Sequence, residues 1–267
     1  FTGIKRSFFK MLDKFIIFSS YKVFCDSKSQ SDFIANQLKV KKPTVIGKGS
    51  ISGVNLKKFN FNKIDSLKLL DESILKKKTI LKQIIYNSYK NNLKIILFIG
   101  RLNKDKGIIE LIDGFKSHNR KFRKSYLLLI GPNELTKQEY KKVTRSKNCY
   151  HLNSFCKEIN LFMSLSHCLI LPSYREGFGS VIIEAAASKL PIIATNISGP
   201  RDFIEHMKNG FLINPKSSKE ISNALDFFQE NKKLIKIFAS NSFKKCQKNY
   251  SEQYVCNSLV KEILKEI

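Results

Sequence analysis

From residue 94 onward, apolar and polar positions alternate in blocks. Short apolar runs at 94–99, 125–130, 150–152, 167–171, 191–194 and 211–213 predict strands. Between them, apolar residues recur at helical spacing, which predicts helices over about 106–117, 136–144, 157–164, 180–188 and 200–207. Apolar strands alternating with helices indicate a parallel sheet covered on both faces, with right-handed connections. Ligands in such sheets bind beyond the carboxyl ends of the strands. The segments 100–106, 131–134, 153–155, 173–179 and 195–199 should therefore share one rim. From residue 217 on, the pattern predicts three further helices.

The first part of the chain is a shorter version of the same order. Residues 4–18 predict a helix, 21–25 a strand, 30–38 a helix and 44–47 a strand. Either Asp26 or Ser27 could cap the helix over 30–38. The stretch GKGSISGVNLKKF at 47–59 holds three Gly and two Ser and reads as a loop or interdomain hinge. Residues 60–92 are polar and Lys-rich, with a surface helix expected over 74–86. The expected fold class is α/β, a Rossmann-like parallel sheet with helices on both faces.

Composition adjusts this picture in three ways. The 267 residues suffice for one large α/β domain or one and a half smaller ones. The first residue is Phe1, with no charged leader after it, so the sequence is expected to start partway into a longer protein. No apolar run approaches the length needed to span a bilayer. The net charge of +26, from 48 Lys+Arg against 22 Asp+Glu, attracts anions. Lys far outnumbers Arg and is spread over many predicted helices, so a nucleic-acid partner is not expected. Six Cys and four His occur without metal-ligand or redox spacing.

The richest stretch for chemistry is LILPSYREGFGSVIIEAAASKLPIIAT at 169–195. Gly177 and Gly179 let the backbone approach a ligand closely. The helix that follows aims the free N–H groups of Gly179, Ser180 and Val181 at the rim, where its dipole favours an anion. Glu184, about one turn in, can accept hydrogen bonds from vicinal hydroxyls, and Glu176 in the loop can do the same for a sugar. A second stretch, GRLNKDKG at 100–107, places Arg101 and Lys106 on the rim after Gly100. Arg offers a planar fork for phosphate and Lys a mobile point charge. Taken singly, each of these residues also reads as ordinary solvated charge or helix-dipole complement.

EGFGSVIIEA resembles the signature of retaining glycosyltransferase family 4, with its two Glu separated by seven residues. The resemblance includes LILPSYREGFG before it, KLPIIATNISGPRDFI and NGFLINP after it, GRLNKDKG, and the linker-like GKGSISGVNLKKF. It implies the GT-B fold, in which two Rossmann-like domains face a cleft. Residues 1–47 would end the acceptor-side domain, 48–60 would form the linker and 61–249 the nucleotide-sugar domain. Residues 250–267 would form a helix packing back on the first domain.

By the same resemblance, Arg101 and Lys106 would bind the donor diphosphate and Glu184 the ribose. Glu176, with the backbone of Phe178 and Gly179, would hold the transferred sugar. Gly131, Pro132 and the loop around Asn153 would lie near the base. Gly100, Gly177, Ser180 and Val181 complete the expected donor site, and Arg101, Lys106 and Glu176 the catalytic set. The implied reaction moves a sugar, from UDP on family frequency, to a lipid-linked, lipopolysaccharide-type or polysaccharide acceptor with retention. No Asp-x-Asp occurs, so neither a metal nor a cofactor is expected. The implied location is cytoplasmic, peripheral on an anionic membrane. The family's glycine-rich loop and first-domain histidine are not found, and Lys189 stands where the family often has Gly. A sugar-nucleotide epimerase or phosphorylase of the same fold, a basic anion-binding module and an inactive remnant are the alternatives.

Overall fold

A computed structural model of the chain describes residues 3–60, 85–88 and 90–265. The helix expected over 74–86 lies largely outside the described residues; 85–88 are helical, with Ile85 buried.

Among the described residues the strands form two parallel sheets. The smaller belongs to the first part of the chain, where α1 (Gly3–Ser19) leads to β1 (Phe24–Cys25), α2 (Lys28–Leu38) and β2 (Thr44–Val45). β1 and β2 pair in parallel, Phe24 opposite Thr44 and Cys25 opposite Val45. Both strands are shorter than the 21–25 and 44–47 expected, since each apolar run is brief and soon meets turn residues. Ser27 caps α2 by accepting from the Gln30 N–H at 3.2 Å. α1 buries none of its residues, and Phe8, Phe15 and Phe18 are exposed on it.

After the loop and α3 (Leu56–Phe59) comes the larger sheet of six strands. Its elements are β3 (Lys94–Ile99), α4 (Ile108–Phe122), β4 (Ser125–Ile130), α5 (Lys137–Thr144), β5 (Cys149–Leu152), α6 (Ile159–Leu165) and β6 (Cys168–Leu171), followed by α7 (Ser180–Ala187), β7 (Ile192–Thr195), α8 (Pro200–Phe203) and β8 (Phe211–Ile213). The spatial order β5-β4-β3-β6-β7-β8, with every pairing parallel, is the Rossmann order. β6 and β7 are buried along their whole length and β3 over its four central residues, which is why these strands read as continuous apolar runs. α9 (Ser218–Glu230), α10 (Lys232–Asn249) and α11 (Glu252–Leu264) close the chain, α9 against α4 and α10 against α7.

One expected helix is corrected. Residues 200–207 form a single turn that stops at Phe203. The Asn209 side chain accepts from the Glu205 N–H at 2.7 Å, and the Met207 N–H donates to Gly210 O at 2.9 Å. The Asn-Gly turn at 209–210 thus captures backbone groups that a longer helix would have used.

Candidate functional site

In this strand order, the chain reverses direction across the sheet between β3 and β6, and the loops leaving their carboxyl ends face each other. The loop after β3 contains a 3₁₀ turn, Lys104–Lys106, capped by Asn103, whose side chain accepts from the Lys106 N–H at 3.1 Å. It is stitched to the loop after β6. The Tyr174 N–H donates to Asp105 O at 2.7 Å, and Arg175 pairs with Asp105. Gly107 sits at φ +65°, and any Cβ there would overlap the Pro172 carbonyl, so the two loops can close only on glycine.

This stitching sets up the central pair. The Lys106 Nζ lies 2.6 Å from Glu176 Oε1, with the side chains 20% and 10% exposed. The buried Ser173 hydroxyl donates to the same carboxylate oxygen at 2.6 Å. Ser173 is anchored in turn, its carbonyl accepting from the Thr195 hydroxyl at 2.5 Å at the end of β7. A third loop closes on the second: a Cβ at Gly199, φ +89°, would overlap the Gly177 carbonyl.

Nine of the sequence-predicted residues line one cleft of about 540 Å³: Gly100, Lys106, Glu176, Gly177, Phe178, Gly179, Ser180, Val181 and Glu184. Gly179, at φ +81°, turns the chain into α7, and no side chain caps that helix. The first N–H groups of α7 therefore open on the cleft without an intrahelical acceptor. The Phe178 ring points away, buried and stacked on Tyr250 at 5.4 Å, so it anchors the loop whose backbone faces the cleft. Glu184 is largely buried, and that burial pushes its carboxyl above the usual glutamate range, with Lys58 partly opposing the shift.

Three expected site residues lie elsewhere. Arg101 is held outside the cleft by Glu134, with Nη1 at 3.1 and 3.3 Å from its two oxygens. Asn103 donates to the same carboxylate at 2.9 Å. Gly131 and Pro132 do not line the cleft either. Gly131 packs against the Gly100 carbonyl and accepts from the His151 ring at 2.8 Å, while Pro132 O accepts from the Leu102 N–H.

Ile99 and Leu171, at the ends of β3 and β6, also line it, and so do four residues that sequence reasoning did not place here: Asp26, Ser50, Ile51 and Ser52. These four come from the end of β1 and from the glycine-rich loop. Ser50 is buried and left-handed at φ +65°, its N–H donating to Asp26 O at 2.6 Å. The only signal for them was the Gly/Ser density of the loop. The histidines sit apart from the cleft lining, each bonded to a protein group: His118 to Asp226, His151 to Tyr140, His167 to the Ile95 N–H and His206 to the Leu212 N–H. None of the six cysteines forms a disulfide, and burial pushes the Cys149 and Cys168 thiols up to about 12.

The sequence and the fold are similar to those of known proteins. The capsular polysaccharide biosynthesis glycosyltransferase CapM of Staphylococcus aureus is 28% identical over 263 residues, covering 96% of this chain and 65% of CapM. The chain thus spans less than two thirds of that relative's length. The crystal structure of Anabaena HepE in complex with UDP and glucose superposes with a TM-score of 0.76 at 20% identity, covering 93% of this chain and 64% of HepE. The C-terminal domain of the Francisella tularensis group 1 glycosyl transferase LpcC superposes with a TM-score of 0.60 at 23% identity, covering 74% of this chain and 99% of that domain. These superpositions show a shared GT-B fold. The family model for glycosyl transferases group 1 matches residues 82–245, a span that takes in both loops of the cleft and α7. This chain belongs to the group 1 glycosyl transferase family.

Proposed function

We propose that the protein transfers a sugar from a nucleotide-sugar donor, with UDP as the nucleotide, to a lipid-linked or polysaccharide acceptor with retention of configuration and without a metal. One observation carries this reading. The Lys106–Glu176 pair and the uncapped mouth of α7 line the same cleft at the β3/β6 switch. Together they offer a cation and oriented N–H groups to a diphosphate, and carboxylates to sugar hydroxyls. HepE, which shares the fold, has been crystallised with UDP and with UDP-glucose, and CapM acts in capsular polysaccharide biosynthesis; both support the donor and acceptor classes.

In this reading the anomeric carbon–phosphate oxygen bond breaks and the acceptor oxygen bonds to the same face of the sugar. The acceptor's proton passes to the departing phosphate. Lys106 and the N–H groups of Gly179–Val181 stabilise the charge that develops there. Glu176 orients the transferred sugar, and Glu184 holds the ribose. Arg101 contributes by exchanging Glu134 for the diphosphate, a rotamer change open to a side chain 58% exposed. Gly131, Pro132 and Asn153 would flank the base at the edge of this rim. Residues 1–47 belong to the acceptor side, 48–60 to the linker, 61–249 to the donor domain and 250–267 to a helix that returns to the first. Contacts of Tyr254 and Ser258 with Gly47, and of Lys22 with Glu262, support that division. The charge of +26 favours peripheral contact with an anionic membrane on its cytoplasmic face.

Lys106→Ala should lower kcat/KM for UDP-sugar turnover by about a hundredfold or more, the effect of removing one preorganised charge partner. Unchanged kinetics would remove Lys106 from the site.

A further inference from the structure

We propose that Asp26 determines which sugar the cleft accepts: its carboxylate takes hydrogen bonds from hydroxyl groups of the transferred sugar and repels donors whose sugar carries a carboxylate. The inference rests on the nucleotide-sugar reading of the same cleft.

Ser27, not Asp26, caps α2, so the cap leaves the Asp26 carboxylate unused. Among the described residues, no hydrogen bond or ion pair involves that carboxylate, yet it lines the cleft. Its Oδ2 stands 3.2 Å from where a Cβ on Gly177 would be, next to the glutamate that pairs with Lys106. The backbone holds it there. Asp26 O accepts from the Ser50 N–H at 2.6 Å, and Ser50 is both buried and left-handed. A Cβ on Gly49 would come within 2.9 Å of the same carbonyl. A non-glycine residue kept in this conformation is held by its surroundings, which fixes the Asp26 position as well.

The charges around the cleft give that position a chemical preference. Among the described residues, the lining carries the carboxylates of Asp26, Glu176 and Glu184, and Lys106 is its single Lys or Arg. Lys106 already contacts Glu176. An anionic diphosphate is matched by Lys106 and the mouth of α7. Among the described residues no cation pairs with Asp26, and an ionised carboxylate only accepts hydrogen bonds. It therefore suits the hydroxyls of a neutral hexose, and it sets like charge against a uronic acid.

Equilibrium binding of UDP, UDP-glucose and UDP-glucuronate to the wild type, Asp26→Asn and Asp26→Glu tests this. The wild type should prefer UDP-glucose over UDP-glucuronate by about tenfold or more, and Asp26→Asn should narrow that to about threefold or less. UDP alone should bind all three proteins alike, which also shows that each is folded. Asp26→Glu, which keeps the charge, should keep the preference. An Asn variant with the wild-type ratio and intact UDP affinity overturns the role of Asp26 while the nucleotide-sugar reading stands. A Glu variant that loses the ratio as fully as Asn overturns it too, since charge would not be the determinant. Absence of UDP binding to the wild type overturns the uridine reading and the inference with it.

Discussion

At the residue scale, Glu184 shows how this site trades stability for chemistry. It is an acid on a helix otherwise packed into the core, flanked in α7 by the fully buried Ile182, Ile183 and Ala185. Burial raises its carboxyl from the usual value of 4.5. A folded-state pKa above the unfolded one means that Glu184 favours the fold at low pH. That contribution is lost as pH rises through the folded value. Once ionised, the buried carboxylate is therefore a cost, consistent with a group kept for ligand binding. Glu184→Gln should unfold at the same or a higher temperature than the wild type at about pH 8, with the difference closing on acidification. It should also bind UDP about tenfold or more weakly, through loss of charge-assisted hydrogen bonds. Thermal unfolding across pH and calorimetry check both parts; earlier unfolding of the Gln variant at pH 8 would contradict the account.

Legibility differs from residue to residue. Lys106, Glu176 and Glu184 stand out in the sequence because glycine turns and a helix start surround them, and turn chemistry is local. Arg101 was expected in the same site and is drawn aside by Glu134, 33 positions away on the loop after β4. No local pattern reveals such a partner. Asp26 was hidden for another reason: Asp26 and Ser27 are equivalent cap candidates in sequence, and only the folded backbone chooses between them.

At the element scale, the strands of the larger sheet could be placed from the sequence because burial on both faces leaves no room for polar interruptions. The helices between those strands followed from their apolar spacing, except where turn residues intervened at 204–210. Helix ends carry finer information. Just beyond α7, Lys189 adopts the left-handed conformation at φ +53°, its N–H donating to Ala186 O at 3.0 Å and that of Leu190 to Ala185 O at 2.9 Å. Glycine is the usual residue in such a terminating turn, and a side chain there costs about 1–2 kcal/mol. The extra freedom of glycine in the unfolded chain takes back about 0.5–1 kcal/mol. The Lys189 ammonium also lies 4.8 Å from the centroid of Phe243. Lys189→Gly should accordingly raise stability by up to about 1 kcal/mol in denaturant unfolding, with UDP affinity unchanged. A loss of stability would show that the lysine contact outweighs the backbone strain.

At the scale of the whole molecule, the first part of the chain and the six-stranded sheet meet at the cleft. The Ser29 hydroxyl donates to Asp202 at 2.7 Å and accepts from the Gly199 N–H at 3.1 Å. The Tyr250 hydroxyl donates to Lys48 O at 3.2 Å. These bonds bring Asp26 and Ser50 beside residues more than a hundred positions away, a juxtaposition that periodicity alone does not contain. The charge of +26 acts on a different scale from the cleft. Spread over the surface, it attracts anions at long range. In the proposed reading the cleft, with three carboxylates around one lysine among its described residues, discriminates at contact.

In the proposed reading, this cleft binds a nucleoside diphosphate through Lys106 and the mouth of α7 rather than through a metal. Calorimetric titration of UDP into the wild type and Lys106→Ala, both in buffer containing EDTA, tests it most directly. The wild type should bind UDP saturably with EDTA present, and Lys106→Ala should bind it about tenfold or more weakly. Equal affinity of the two proteins, or wild-type binding that requires an added divalent cation, would contradict this reading.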